Sequence, residues 1–238
     1  MPEIKTYADN PAVAAEFAKY LCDWINAQPQ EKITVSLSGG STPKLLFQVL
    51  ASDFAQAVDW SKVHFFWGDE RCVAPDDAES NYGECKALLL DKISIPAENV
   101  HRVLGENDPA GEAVRYGEEI GQHVAAGSDG LPAFDLMILG MGGDGHTASI
   151  FPYQMELMKS QNVCEVAVHP DSGQKRVTIT GEVLNASKAV AFLITGGGKA
   201  DVLKTVVEKT GAEYPATHIQ PAGSLTFFLD QAAAGNLS

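Results

Sequence analysis

The sequence lacks an excess of basic residues, a long apolar segment and a recognisable export signal. Its 17 Lys and Arg face 31 Asp and Glu, which gives a formal net charge of −14. Such a chain repels nucleic acid and anionic membranes, because both present phosphate groups. No apolar run reaches the length of a bilayer span, and no basic segment followed by an apolar one opens the chain. These absences predict a cytoplasmic protein that binds neither nucleic acid nor membranes.

Closely spaced cysteines and metal-ligand motifs are also missing. The four cysteines are far apart and form no Cys-x-x-Cys pair: Cys22, Cys72, Cys85 and Cys164. This spacing predicts unpaired thiols in a reducing compartment and no zinc motif. The acidic residues Asp76, Asp77 and Glu79 follow one another without the spacing of a metal-binding loop. We therefore expect neither a metal ion nor another cofactor.

Strand-like and helix-like segments alternate along the 238 residues. The strand-like segments are short and mostly apolar, as in 33–38, 63–67, 134–139 and 189–195, and the first of them is rich in β-branched residues. A helix is expected to begin at Asn10 as N-cap, and 101–103 is a possible edge strand. The alternation predicts a single α/β domain, residues 1–238, with a doubly wound, mostly parallel, Rossmann-like sheet and helices on both faces.

The most informative stretch is 134–152, which reads FDLMILGMGGDGHTASIFP. Its apolar first half predicts a buried parallel strand. The glycines that follow, Gly143 among them, permit close backbone approach and place Asp144 and His146 at the strand's carboxyl end, where open α/β sheets bind ligands. A short helical turn is expected from Thr147 to the proline at 152. A histidine two residues after an aspartate in this position is a candidate general base.

A second glycine-rich junction follows the strand 33–38. Gly39, Gly40, Ser41 and Thr42 lead into Pro43 and a helix expected over 44–50. The glycines permit a tight turn, a hydroxyl is expected to cap the helix, and the free N–H groups at the helix start suit an anion. A plain strand-to-helix connection is the alternative. Neither a Walker loop nor Gly-x-Gly-x-x-Gly is present, so a nucleotide is not indicated.

Polar residues also follow the strand 63–67. Arg71 can grip a phosphate or carboxylate with two hydrogen bonds. Asp69 and Glu70 either bind sugar hydroxyls, orient this arginine, or form a salt bridge with it. Asn81 lies where a helix is expected to begin, and it either caps that helix or reaches the ligand.

Two more cations follow later in the chain. Arg176 opens the strand expected over 176–180, and Lys199 comes directly after three glycines at the end of the strand 189–195. Both are candidates for binding an anion at the sheet edge, because a net acidic protein must concentrate its cations locally to hold one.

Together these segments resemble the 6-phosphogluconolactonase family. The matching pieces occur in the family's order and spacing over nearly the whole chain: SGGSTP at 38–43, DERCV at 69–73 with Ser80 and Asn81, GGDGHTASIFP at 142–152, RVTIT at 176–180, and the late Lys199. The resemblance implies hydrolysis of 6-phospho-D-glucono-1,5-lactone to 6-phosphogluconate. It also implies a sheet related to that of glucosamine-6-phosphate deaminase, and a small sugar-phosphate lactone as ligand of a monomer or small homo-oligomer.

A lactonase needs a base for water, donors for the oxyanion and a grip on the phosphate. We expect His146 to be the base, with Asp144 able to orient its imidazole. The N–H groups of the glycine loop are expected to stabilise the oxyanion, and Arg71 is a further candidate donor. Phosphate is expected on Gly40, Ser41 and Thr42, and the candidate cations are Arg71, Arg176 and Lys199.

Rival functions fit the sequence less well. A deaminase or isomerase of this fold carries an acidic residue shortly after its Gly-His, and 147–151 contains none. A non-catalytic sugar-phosphate sensor usually needs a DNA-binding module, and the chain shows no basic helix. A nucleophilic Ser149 lacks the Gly-x-Ser-x-Gly context. A thiolate at Cys72 is less well supported than an incidental buried thiol.

Overall fold

The computed structural model describes residues 2–237 and contains two sheets. The strands, in chain order, are β1 (Glu3–Tyr7), β2 (Ile33–Leu37), β3 (Val63–Trp67), β4 (Asp69–Arg71), β5 (Leu136–Leu139), β6 (Cys164–Val168), β7 (Lys175–Ile179), β8 (Ala189–Ile194) and β9 (Ser224–Asp230). The α-helices are α1 (Asn10–Ala27), α2 (Ser41–Asp53), α3 (Asn81–Leu88), α4 (Pro109–His123), α5 (Gly181–Ala186) and α6 (Ala200–Val207).

The larger sheet has six strands in the order β1-β9-β8-β5-β2-β3, and every neighbouring pair is parallel. From β2 the chain moves outward to β3, whereas from β5 it moves outward in the opposite direction to β8. The strand order therefore reverses between β2 and β5. In open α/β sheets a reversal of this kind leaves a crevice at the carboxyl ends of the two strands, which is where ligands bind.

Alternate side chains of the central strands belong to two separate apolar cores. On β5, Met137 and Leu139 pack in the core that includes residues of α4 and α6, whereas Leu136 and Ile138 pack in the core that includes residues of α1 and α2. Strands covered on both faces must be apolar throughout, and β5 and β8 are buried along their whole length. The predicted fold class, a mostly parallel sheet with helices on both faces, is confirmed.

Helix α1 covers one face of the sheet. Its buried stripe includes Val13, Phe17, Leu21 and Ile25, spaced four residues apart as a helix requires. Each such burial stabilises the fold by about 1.5–3 kcal/mol. The N-cap is Asp9, whose carboxylate accepts a 2.9 Å hydrogen bond from the N–H of residue 12. The prediction of an Asn10 cap was therefore wrong by one residue.

The smaller sheet is antiparallel and has the order β4-β7-β6. The strand β7 corresponds to the one expected over 176–180, whereas β4 was not predicted, because it consists of three polar residues. It forms through pairing with β7, which places Asp69 beside Thr178 and Arg71 beside Arg176. The smaller sheet therefore carries charged side chains to the edge of the larger one.

Two local predictions were wrong. The segment 101–103 is no strand, and only a single bridge joins Phe65 to Val100 beside it. No helical turn follows His146. Instead Ala148 has a φ of 47°, and Pro152 begins a 3-10 helix (Pro152–Lys159) rather than ending one. Within residues 2–237, no helix is both long and apolar enough to cross a membrane.

Candidate active site

A cleft of about 260 Å³ opens at the carboxyl edge of the larger sheet, where β2 and β5 end. The predicted site residues that line it come from both sheets: Gly39, Gly40, Ser41, Thr42, Asp69, Arg71, Asn81, His146, Arg176 and Lys199. Three further predicted residues, Glu70, Gly143 and Asp144, do not line it. The topology thus brings together side chains that are up to 160 residues apart in sequence (199 − 39).

The pair His146 and Asp144 lies on the loop after β5. Nδ1 of His146 is 2.6 Å from Oδ1 of Asp144, and the same oxygen accepts a 3.2 Å hydrogen bond from the His146 backbone N–H. Hydrogen bonds from Gly142 N–H to His146 O and from Gly145 N–H to Gly142 O close the loop. The imidazole also packs on the buried ring of Phe151, with 4.8 Å between centroids. These contacts fix both the position and the plane of the imidazole.

The Asp144 carboxylate stays ionised beside this ring. Partial burial favours its neutral form, but the contacts with His146 outweigh burial and lower the pKa of Asp144. An ionised Asp144 can only accept a hydrogen bond, so Nδ1 of His146 carries the proton and donates it, and Nε2 is left with a free lone pair. Among the described residues, none forms a hydrogen bond with Nε2. Asp144 therefore lies behind the imidazole as a partner of His146 rather than on the cleft wall.

The start of α2 forms one wall of the cleft. Gly40 has φ 111° and ψ 179°, a conformation that glycine alone adopts readily, and the helix begins at Ser41. No hydroxyl caps it, because the Thr42 hydroxyl instead bonds to Thr195 Oγ1 at 2.9 Å. The predicted hydroxyl cap and the predicted helix start at 44 were wrong. Without a side-chain cap, the first N–H groups of α2 stay available to an anion.

Arg71 and Arg176 lie opposite each other in the β4–β7 pair. Nη1 of Arg71 donates to the carbonyl of Glu79 at 2.5 Å, and Nη1 of Arg176 donates to Ser149 Oγ at 3.3 Å. The Nε atoms of both arginines are buried without a hydrogen-bond partner in the part of the chain that the structure describes. Burial also lowers the pKa of Arg176, although Asp69 partly offsets this. Both guanidinium groups are therefore held in place with donors left for a ligand.

Asp69 and Ser149 position the guanidinium group of Arg176. The Ser149 hydroxyl donates a 2.5 Å hydrogen bond to Oδ2 of Asp69, and that oxygen is 4.0 Å from Nη1 of Arg176. Ser149 is fully buried and does not line the cleft. This placement gives it a supporting contact with the arginine and argues against a nucleophilic role. Its contact with Asp69 spans 80 residues of sequence, so no local pattern could have indicated it.

Lys199 ends a short 3-10 turn (Gly197–Lys199) at the start of α6. Burial lowers its pKa, and the nearby carboxylate of Asp230 acts in the opposite direction. Asp230 holds the backbone before this turn in place, because its carboxylate accepts hydrogen bonds from Gly196 N–H at 3.0–3.1 Å and from Ala233 N–H at 2.7 Å. Asp230 was not among the predicted site residues. Its position at the carboxyl end of a strand is the sequence feature that could have indicated it.

Glu70 faces away from the cleft. Its buried carboxylate accepts hydrogen bonds from the N–H groups of Arg71, Asn81 and Tyr82 at 2.7–2.8 Å, and from the Ser80 hydroxyl at 3.1 Å. Glu70 therefore binds the beginning of α3. Among the described residues it contacts the backbone N–H of Arg71 but not its guanidinium, and it does not line the cleft. Gly143 is exposed on the outer side of its loop.

Asn81 connects the start of α3 to the cleft. Its Nδ2 donates to the carbonyl of Asp69 at 3.0 Å, and Ser80 is the N-cap of the helix. A Cβ on Gly39 would come within 1.9 Å of Asn81 Oδ1. The glycine at position 39 thus allows the loop after β2 to pack directly against this amide.

Comparisons with known proteins show the family to which the chain belongs. The family model described as glucosamine-6-phosphate isomerases/6-phosphogluconolactonase matches residues 8–228. The 6-phosphogluconolactonase of Haemophilus influenzae is 46% identical over 226 residues, which cover 93% of this chain and 92% of that protein. The structure of 6-phosphogluconolactonase from Trypanosoma cruzi has a TM-score of 0.91 at 29% identity, covering 100% of this chain and 97% of that one. The chain belongs to this family, as the sequence motifs indicated.

A deaminase shares the fold. The structure of a monomeric glucosamine-6-phosphate deaminase has a TM-score of 0.82 at 21% identity and covers 98% of this chain and 99% of that one. At this identity the likeness concerns the fold alone, and it bears out the expected relation between the two sheets.

Proposed function

We propose that the chain hydrolyses 6-phospho-D-glucono-1,5-lactone to 6-phospho-D-gluconate, the second step of the oxidative pentose phosphate pathway. One observation carries this proposal: the ordered pair of His146 and Asp144 lies beside a cleft that also presents Arg71, Arg176 and Lys199. A general base and a group of cations are the two things that hydrolysis of a phosphorylated lactone requires.

In this proposal the phosphate is held away from the reacting carbon. The uncapped start of α2 offers the N–H groups of Ser41 and Thr42, and the three cations add charge-assisted hydrogen bonds. Because the chain carries a net charge of −14, this local concentration of cations is what allows an anionic substrate to bind. Fixing the phosphate places the lactone carbonyl near His146 and so lowers the entropic part of the barrier.

His146 is then the general base. With its Nδ1–H hydrogen-bonded to the Asp144 carboxylate, His146 uses Nε2 to accept a proton from the water that attacks C1 of the lactone. The carbonyl π electrons move to oxygen and form a tetrahedral oxyanion. When the C1–ring-oxygen bond breaks, its electron pair goes to the ring oxygen, which takes the proton from Nε2. The products are the carboxylic acid, which ionises, and the freed hydroxyl, and His146 is returned to its starting state.

Two of the expected oxyanion donors are already engaged, because the N–H groups of Gly142 and Gly145 form hydrogen bonds within their own loop. The Gly143 N–H forms no hydrogen bond among the described residues and stays a candidate donor. Arg71, whose Nη1 is fixed by Glu79, lines the cleft and is the second candidate. We assign it this role, which leaves Arg176 and Lys199 as the principal phosphate cations.

We further propose that residues 1–238 act as one domain, as a monomer or small homo-oligomer in the cytoplasm, with no nucleic-acid or membrane partner. The contribution of both sheets to one cleft supports the single domain, and the acidic composition supports the choice of partners.

The test is the rate of lactone loss with wild type and His146→Ala compared under identical conditions, at slightly acidic pH and low temperature to slow spontaneous hydrolysis. We expect kcat to fall by about 10²–10⁴ in the variant, because a general base contributes a factor of that size. Binding of the product, 6-phosphogluconate, should change little. Background rates with both proteins would reject the lactonase, and an unchanged kcat in the variant would reject His146 as its base.

A further inference from the structure

Three of the six histidines meet at the opposite edge of the larger sheet from the cleft. His64 is the second residue of β3, His101 lies beside this strand with its N–H bonded to Phe65 O, and His123 is the last residue of α4. The cleft is at the carboxyl ends of the strands, whereas His64 lies near the amino end of β3. The proposed lactonase reaction uses none of these histidines.

We propose that His64, His101 and His123 form a binding site for a divalent transition-metal ion, of which Zn²⁺ is the best fit. One ring nitrogen from each residue can be chosen so that all three lie within 4.8 Å of one another, and Nδ1 of His64 is 2.9 Å from Nε2 of His101. Zn²⁺ binds imidazole nitrogen at about 2.0–2.1 Å, so its ligand atoms lie roughly 3.3 Å apart in a tetrahedron. A bound ion would take the place of the proton in the His64–His101 hydrogen bond.

The surroundings of His101 resemble those of a metal ligand. Its Nδ1 is 2.7 Å from Oε1 of Glu119, and Arg115 holds the other carboxylate oxygen at 3.6 Å. A carboxylate that accepts the Nδ1 proton leaves Nε2 free to bind a metal and fixes the plane of the ring. His101 is buried against Phe66, with 4.3 Å between ring centroids and an angle of 10°. Glu119 is therefore a positioning residue for His101.

Access and ligand chemistry support the same site. The side chain of His123 is 34% exposed, which gives an ion a path from solvent and leaves room for water as a fourth ligand. Three nitrogen ligands suit Zn²⁺, Co²⁺ or Ni²⁺ and exclude Mg²⁺ and Ca²⁺, which prefer oxygen.

One nearby charge opposes a cation. Nζ of Lys32 lies 3.4 Å from Nδ1 of His123, whereas Glu119 and Glu98 supply negative charge on the other sides of the cluster. Arg115 is paired with Glu112 and Glu119, so its charge is largely neutralised. The proposal consequently predicts that removing the Lys32 charge strengthens metal binding. An adventitious surface contact would not respond in this way.

The experiment uses the untagged full chain freed of metal with a chelator. Zn²⁺ is titrated by calorimetry, Co²⁺ by its visible absorption, and Tm is recorded with Zn²⁺ and with Mg²⁺. We expect about one equivalent of Zn²⁺ to bind and to raise Tm, and Mg²⁺ to have no effect.

His123→Gln and His64→Gln should weaken binding by more than about tenfold, Glu119→Gln by about 10–100-fold, and Lys32→Met should tighten it. Both histidine variants should retain wild-type lactone hydrolysis.

His146→Gln serves as the control for a metal bound at the cleft, and it should leave Zn²⁺ affinity unchanged. The proposal is overturned if wild type binds no Zn²⁺, if His123→Gln binds it as tightly as wild type, or if His146→Gln abolishes binding. None of these results depends on the proposed lactonase activity, so the two proposals fail separately.

Discussion

Nδ1 of His146 lies 2.6 Å from Oδ1 of Asp144, and the two residues are separated by one glycine in a loop that hydrogen bonds close on itself. This geometry selects one tautomer of the imidazole, with the proton on Nδ1 and the lone pair on Nε2. The selection is electrostatic, because it depends on Asp144 being ionised. The pKa of Asp144 is lowered, so its carboxylate stays ionised down to a pH below the usual range of aspartate.

Asp144→Asn tests that selection. The amide can turn its NH₂ group toward Nδ1 and favour the tautomer whose proton is on Nε2, which cannot accept a proton from water. We expect kcat to fall by about 10–10³, less than in His146→Ala, with KM nearly unchanged. The steady-state rate of lactone loss checks this. Asp129→Asn, at an exposed position remote from the cleft, is the matched control, and equal rates in the two variants would contradict an orienting role for Asp144.

Gly142→Ala tests the same pair sterically. A Cβ at this position would lie 2.2 Å from Nδ1 of His146 and 2.5 Å from Oδ1 of Asp144, so one of the two side chains must move. We expect kcat to fall by at least about tenfold, because small displacements of a catalytic group are costly, while the global fold is kept. Gly121→Ala in α4 is the control, since its added methyl group meets no atom within 4 Å. Wild-type kcat in Gly142→Ala would show that the observed pair is not required.

The location of the cleft was predictable because glycine-rich segments follow strongly apolar strands. The runs ending at Leu37 and Leu139 are buried on both faces, and only parallel strands covered by helices give such runs. Their carboxyl ends therefore had to meet at one edge. Local sequence patterns were sufficient here, because an apolar run and a glycine-rich segment can each be recognised within a few consecutive residues.

The orientation of Glu70 was not predictable by the same means. It depends on β4, a strand of three polar residues that exists only because it pairs with β7 about 100 residues later in the chain. Side chains alternate along a strand, so Asp69 and Arg71 face the cleft and Glu70 faces the opposite side. The cluster of His64, His101 and His123 was not predicted for a related reason, because three distant segments of the chain contribute one histidine each.

Glu70→Gln should therefore destabilise the protein rather than alter its chemistry. The amide replaces one of two oxygens that together accept three backbone N–H groups and the Ser80 hydroxyl, so buried donors lose their acceptor. We expect a loss of roughly 2–4 kcal/mol in the free energy of unfolding, because each unsatisfied buried donor costs about 1–3 kcal/mol. Denaturant unfolding measures it, with the exposed Asp76→Asn as control. A stable variant with a raised KM would instead favour a substrate contact for Glu70.

Lys199 is expected to give the binding of product a pH dependence. Burial lowers the pKa of this amine, so it loses its proton at a lower pH than an exposed lysine, and above that pH a positive charge is missing from the cleft. If Lys199 holds the phosphate, the Kd of 6-phosphogluconate rises as the pH increases from neutral toward the ordinary lysine range, by on the order of tenfold or more, since a charged hydrogen bond contributes about 1.5–3 kcal/mol. Calorimetric titrations across this range measure the effect.

Lys199→Arg, which stays charged throughout, should bind with a flat profile, and Lys199→Met should bind weakly at every pH. The same rise in wild type and Lys199→Arg would assign the titration to another group and leave Arg176 as the principal cation on the phosphate.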